Sequence, residues 1–198
     1  MNEPGRPTPA TASKEDKIKD FILSTLAATA QVDDASVPEL LLVAKSPDSP
    51  VARAVAAVAA GSGAAFGLQI VFVVSAAAEA AAIGEADVSM YADTVGVIDA
   101  SRFMDVHEQL VLGPATVWFG DSMRREPAKR DAFESFHRDN ATASRNARRS
   151  FARLWSHCTP LAVSRGSKPA LADNQLVGMA AQYESNQADP AAASQKPN

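Results

Sequence analysis

The sequence predicts one α/β domain, a mixed or parallel sheet flanked by helices, with disordered termini. Three observations carry this. Residues 39–44 and 68–74 are apolar runs of strand length, and an alanine-rich helical stretch separates them. That order pairs the two strands in parallel across a right-handed crossover. Further apolar runs at 95–98, 106–112 and 116–119 extend the sheet, and amphipathic helices at 14–30 and 139–157 can cover it.

Each element has a local reason. Residues 1–12, rich in Pro, Thr and Ala, read as a disordered tail before a domain spanning 13–160. Ser13 and Asp16 form a capping-box variant, and Ile18, Phe21, Ile22, Thr25, Leu26 and Thr29 then recur at helical spacing over 14–30. Residues 31–38 form a loop ending at Pro38. After Glu39, residues 40–44 are apolar without interruption, the pattern of a strand buried on both faces. Ser49 supplies an N-cap and Pro50 fits the first helical position. The helix from Val51 to Ala60 ends at Gly61 and Gly63, with Val51, Val55 and Val58 on one face and alanines that let it approach a sheet closely.

After the strand at 68–74, residues 76–82 read as a short alanine-rich helix. Residues 106–112 and 116–119 read as a strand pair turned at Gly113-Pro114. Residues 127–138 fit helix or strand equally well. The stretch 139–157 is the clearest helix, capped by Asp139, with Ala147, Phe151, Leu154 and Trp155 as its buried stripe. Arg145, Arg149 and Arg153 follow at i, i+4 and i+8 on another face. Pro160 closes that helix, and 161–198 reads as a disordered polar tail. Its one apolar patch, Leu176 to Met179, is either a docking segment or a chance cluster.

Composition narrows the function classes. The chain has 198 residues, and 40 alanines supply nearly half of its 46% hydrophobic content. The larger apolar residues suffice for one domain rather than two. A single cysteine excludes a disulfide framework and a cysteine-based zinc cluster. No apolar run approaches the roughly 18 residues of a membrane span. The first residues lack the apolar stretch of a secretory signal, which leaves the cytoplasm as the expected compartment. Net charge is −4 overall but segregated: −7 over 1–101, +3 over 102–153 and 0 over 154–198. The basic segment is arginine-rich, and arginine grips phosphate through a planar fork. Those arginines either meet the acidic first half and solvent, or hold an anion.

The informative segment is His107-Glu108-Gln109-Leu110-Val111-Leu112-Gly113, followed by Trp118-Phe119-Gly120-Asp121-Ser122-Met123. It resembles the active-site block of the phospholipase D superfamily of phosphodiesterases. That block reads His-x-Lys, four residues, Asp, then a strand ending in Gly-Ser-x-Asn. The resemblance spans roughly residues 13–158 and implies one half of that two-part fold, as in short members with one motif per chain, such as bacterial endonucleases. Residues 39–74 look like its opening strand–helix–strand, and Ser150-Phe151-Ala152-Arg153-Leu154-Trp155 like its closing helix.

The resemblance implies a nucleophilic histidine at His107, a second histidine from the other half or subunit as acid, a lysine, and hydrogen-bond donors after the strand. It also marks departures. Gln109 stands where lysine belongs, the motif aspartate has no counterpart, Asp121 replaces serine, and Met123 replaces asparagine. The phosphate-binding candidates carried over are Gln109, Gly120, Asp121 and Ser122, with Arg124 and Arg125 as compensating cations. Asp131 or Glu134 would orient the histidine. A carboxylate about 5 Å from a phosphate costs roughly 3 kcal/mol at an effective dielectric near 20. That is on the order of a hundredfold in rate.

Three functions follow. The first is an altered, non-catalytic phospholipase D-like binding or assembly module, with a homodimer as one arrangement. The second is an active phosphodiesterase acting on nucleic acid or phospholipid through His107. The third is an anion- or nucleic-acid-binding protein using the Arg145, Arg149 and Arg153 stripe. Asp105, His107, Glu108 and Asp121 include metal-donor types, but Asp-x-His recurs by chance, so the sequence assigns neither metal nor cofactor. His157-Cys158 lacks a second cysteine and reads as an ordinary helix-end pair, and Trp118 reads as packing.

Overall fold

The structure, a computed structural model, describes residues 12–30, 38–62, 66–74, 82–103, 105–123 and 133–162. The expected helix at 76–82 falls almost wholly outside them, as do the two tails except at their inner ends and the patch at 176–179. The described elements are α1 (Lys14–Ala30), β1 (Glu39–Ala44), α2 (Pro50–Ser62), β2 (Gly67–Val74), the short α3 (Asp87–Met90), β3 (Thr94–Asp99), β4 (His107–Leu112), β5 (Thr116–Ser122), β6 (Ser135–His137), α4 (Ala141–Trp155) and β7 (Thr159–Leu161).

The strands form one mixed sheet of order β6-β5-β4-β1-β2-β3-β7. β1, β2 and β3 are parallel neighbours, and every other pairing is antiparallel. The apolar runs of β1 and β2 are explained by two-sided burial. Leu40, Leu42, Ile70 and Phe72 pack toward α1 and α2. Leu41, Val43, Val71 and Val73 pack toward Ala147, Phe151 and Leu154 of α4.

The local signals largely act as their chemistry dictates. Ser13 Oγ accepts from Asp16 N at 3.1 Å, and Asp16 Oδ2 accepts from Ser13 N at 3.3 Å and from Ser13 Oγ at 2.7 Å. These hydrogen bonds hold the Asp16 carboxyl below its usual range, with the side-chain bond the largest cause. Ser49 Oγ accepts from Ala52 N at the start of α2.

Five expectations change. α2 does not stop at Gly61 but runs through it to Ser62. Asp139 does not cap α4: it adopts φ 54°, and Asn140 Oδ1 accepts from Ala143 N at 3.0 Å instead. Asn140 N bonds the Ala115 carbonyl at 2.8 Å, which sets the cap one residue later. β5 extends three residues further, to Ser122. Within the undecided 127–138 stretch, Ser135–His137 pairs with β5 as an edge strand. Pro160 ends no chain element; it sits in β7, against Gly96 of β3. An edge strand tolerates proline because one side of its backbone has no ladder to feed.

Two glycines should respond oppositely to alanine. A Cβ at Gly96 would lie 2.8 Å from Cys158 Cβ and 3.3 Å from the Trp155 ring, whereas Gly61 in α2 has nothing within 4 Å. Gly96→Ala should lose about 1–3 kcal/mol through overpacking. Gly61→Ala should gain about 0.5–1 kcal/mol through helix propensity. Urea unfolding of both variants against the parent checks the sign of each.

Candidate functional site

The candidate residues gather where β4 begins and β5 ends. This is the edge at which the parallel strands present their carboxyl ends. A β-bulge shapes it. His107 pairs with Ser122, but Gln109 pairs with Phe119, so Gly120 and Asp121 together oppose Glu108 alone. The bulge turns both residues toward α1. A Cβ on Gly120 would collide with the Trp118 ring, and the Asp121 carboxylate faces Lys14 of α1.

His107 is exposed, and its Nδ1 lies 2.9 Å from the Gly120 carbonyl oxygen. A carbonyl only accepts, so Nδ1 donates, and the neutral ring then carries its lone pair on Nε2. The edge of the ring pair with Phe133 is T-shaped, with centroids 6.0 Å apart. Thus a main-chain carbonyl orients this imidazole.

The neighbouring motif positions are turned inward. Gln109 is 3% exposed, and its Nε2 donates to the Ala147 carbonyl of α4 at 2.9 Å. Glu108, on the opposite strand face, is 2% exposed and accepts from Lys45 N at 3.2 Å. Asp121 is 1% exposed. Its Oδ1 accepts from Phe133 N at 3.1 Å, and its Oδ2 meets Lys14 Nζ at 3.5 Å. Lys14 also donates to the Phe133 carbonyl at 3.3 Å and lies 5.5 Å from the centre of the Trp118 ring. Cation, carboxylate, indole and the Phe133 backbone therefore form one packed unit. Glu134, expected to orient the histidine, pairs with Lys17 of α1. Ser122 is half-buried opposite His107, while Arg124, Arg125 and Asp131 lie outside the described residues.

Lys14 is the site residue that sequence reasoning missed. It lies 107 residues before Asp121, and no local pattern ties the two. Among the described residues no three of His, Cys, Asp or Glu cluster to hold a metal ion. Glu108 and His107 project from opposite strand faces, as alternation requires. Cys158 is half-buried, and burial pushes its thiol up to about 11, well away from a reactive thiolate.

A crevice of about 260 Å³ at this edge is lined by Lys45, Pro47, Asp48, Val74 and Ile83. A larger groove, about 700 Å³, lies at the other edge, where Thr25, Glu39, Gly113, Arg138 and Arg148 meet. It is well separated from His107, because β4 runs from His107 at one edge to Leu112 at the other.

Sheet and site together define a mixed α/β domain with an exposed, carbonyl-bound histidine at a bulged strand edge. No family model matches the chain. No curated protein matches it either. Among solved structures it is similar to a phospholipase D family member, Nuc, from Salmonella typhimurium. The two share 10% identity over 72% of this chain and 91% of that one, at a TM-score of 0.39.

Two measurements probe the site. Asp121→Ala leaves the Lys14 ammonium without the carboxylate it meets and should cost about 3–5 kcal/mol in chemical unfolding. The double variant Lys14→Met with Asp121→Leu should recover most of that loss, since a packed apolar pair replaces both charges. For Cys158 the raised folded value means that stability linked to this thiol is complete below about pH 9 and fades as pH rises toward about 11. Thiolate absorbance should appear near pH 11 in native protein and near 9 after unfolding.

Proposed function

We propose that this chain is a non-catalytic relative of phospholipase D-like domains, serving as a binding or assembly module. One observation carries the reading. Asp121 stands where the resembled motif places a phosphate-binding serine, and it is 1% exposed and held by Lys14 and the Phe133 amide. A buried carboxylate in that position has only acceptor oxygens, already engaged by Lys14 and the Phe133 amide, so it offers a phosphoryl group no hydrogen-bond donor. Gln109, at the lysine position, is likewise engaged with the α4 backbone. Self-association fits this reading, because the single-motif relatives that the sequence resembles join two halves around a shared edge.

A second reading rests on His107 itself. Its imidazole is exposed and oriented through Nδ1, as a nucleophile at Nε2 requires. In that reading the chain is a phosphodiesterase of nucleic acid or phospholipid, with Arg124 or Arg125 supplying the cation.

Bis-p-nitrophenyl phosphate separates the two. The module reading expects no turnover above buffer, and identical behaviour from His107→Ala. Hydrolysis that disappears in His107→Ala, together with a phosphoryl group trapped on His107, establishes the enzyme instead.

A further inference from the structure

We propose that the outer face of α4 binds the phosphate backbone of duplex nucleic acid without reading its sequence. This is independent of whatever the His107 edge does. α4 has 15 residues, four of them arginine and none acidic. Ser144, Ala147, Phe151 and Leu154 are buried against the sheet, which fixes the rotation of the helix. Arg145, Arg149 and Arg153 are consequently all exposed. They form a straight row about 12 Å long, at 1.5 Å of rise per residue.

The row gathers three like charges on one helix face. Elsewhere four described cations meet carboxylates: Lys14 meets Asp121, Lys17 meets Glu134, Arg53 meets Glu15, and Arg148 meets Glu39. Arg138 donates to Ser24 Oγ and lies over the Phe21 ring. Among the described residues no carboxylate pairs with Arg145, Arg149 or Arg153. Like charges at i, i+4 repel along a helix. The fold keeps that repulsion three residues deep with no anion among the described residues to relieve it, which points to an external one.

The chemistry of the face selects among polyanions. Thr142, Asn146 and Ser156 are exposed beside the arginines and add hydrogen-bonding groups, while no large apolar or aromatic side chain is exposed on α4. A protein interface draws its affinity from a desolvated apolar centre, and a membrane-lying helix from inserted apolar residues; this face has neither. Single-strand binding needs exposed aromatic stacking platforms, whereas Phe151 and Trp155 of α4 stack on each other and pack against the sheet. Contacts to a duplex backbone need only positioned cations that release counterions. With no side chain built to read base edges, the contact is indifferent to sequence.

Anisotropy titration of the full chain against a labelled mixed-sequence DNA duplex tests this. Three phosphate contacts give a slope of log affinity against log salt of about −2.7, a loss of about 40-fold between about 50 and 200 mM salt. Each single substitution, Arg145→Gln, Arg149→Gln or Arg153→Gln, should reduce the slope by about 0.9, and the triple variant should abolish it. Glutamine keeps comparable helix propensity, so far-UV circular dichroism should be unchanged. Arg53→Gln, on the other layer, should bind as the parent does. A triple variant that binds like the parent, a slope near zero, or a strong preference between unrelated duplexes overturns the proposal. So does tighter binding to phosphatidylserine vesicles or polyglutamate than to duplex at the same salt.

Discussion

The buried Lys14–Asp121 pair is the constraint from which much of this architecture follows. The bulge in β5 turns Asp121 away from solvent, and a carboxylate so placed requires a cation and hydrogen-bond donors. Lys14 supplies the first and Phe133 N the second. Meeting that need fixes the start of α1 over Trp118, and Lys17–Glu134 and Phe21–Phe136 continue the attachment along β6. The helix thereby covers the antiparallel extension of a sheet whose centre is parallel. Phe133, pinned by both partners, is in turn the ring beside His107.

The bulge also gives Gly120 a structural explanation separate from phosphate binding. The Trp118 indole occupies the space a side chain would need there. Trp118 is fully buried in the α1 and α2 core, so the glycine follows from a packing demand. The same holds at Gly96, where Cys158 and Trp155 press against the bare backbone and let β7 close the other end of the sheet. At both ends of the sheet a large side chain is accommodated by a glycine beneath it.

Charge is arranged by layer. Acidic and basic residues around α1, α2 and the strand ends neutralise one another in local pairs, many of them exposed and individually weak. α4 departs from this, because among the described residues its only carboxylate-paired arginine, Arg148, is the one turned toward Glu39 at the sheet edge. The net negative charge of the chain therefore conceals one strongly positive surface. Segregation along the sequence becomes segregation across the sheet where the last part of the basic segment folds as α4, which carries four arginines and no acidic residue on one face of the sheet.

Local order was legible in the sequence because it depends on neighbours a few residues apart. The capping pair Ser13 and Asp16, the N-cap at Ser49, the largely apolar β1 and β2, and the stripe of Ala147, Phe151 and Leu154 all follow from periodicity and hydrogen-bonding type. His107 was legible as a candidate through its place in a motif-like segment. Its partner was not, because Gly120 reaches it only after the strands pair across a bulge that no residue type announces. Tertiary structure alone assigned Gln109 to α4, Glu108 to the opposite face, Glu134 to Lys17 and Asp121 to Lys14. It also decided the three-residue edge strands β6 and β7, too short to carry an alternation of their own. The physical reason is range: caps and amphipathic stripes are fixed within a few turns of chain, whereas a buried ion pair joins residues that only the completed sheet brings together.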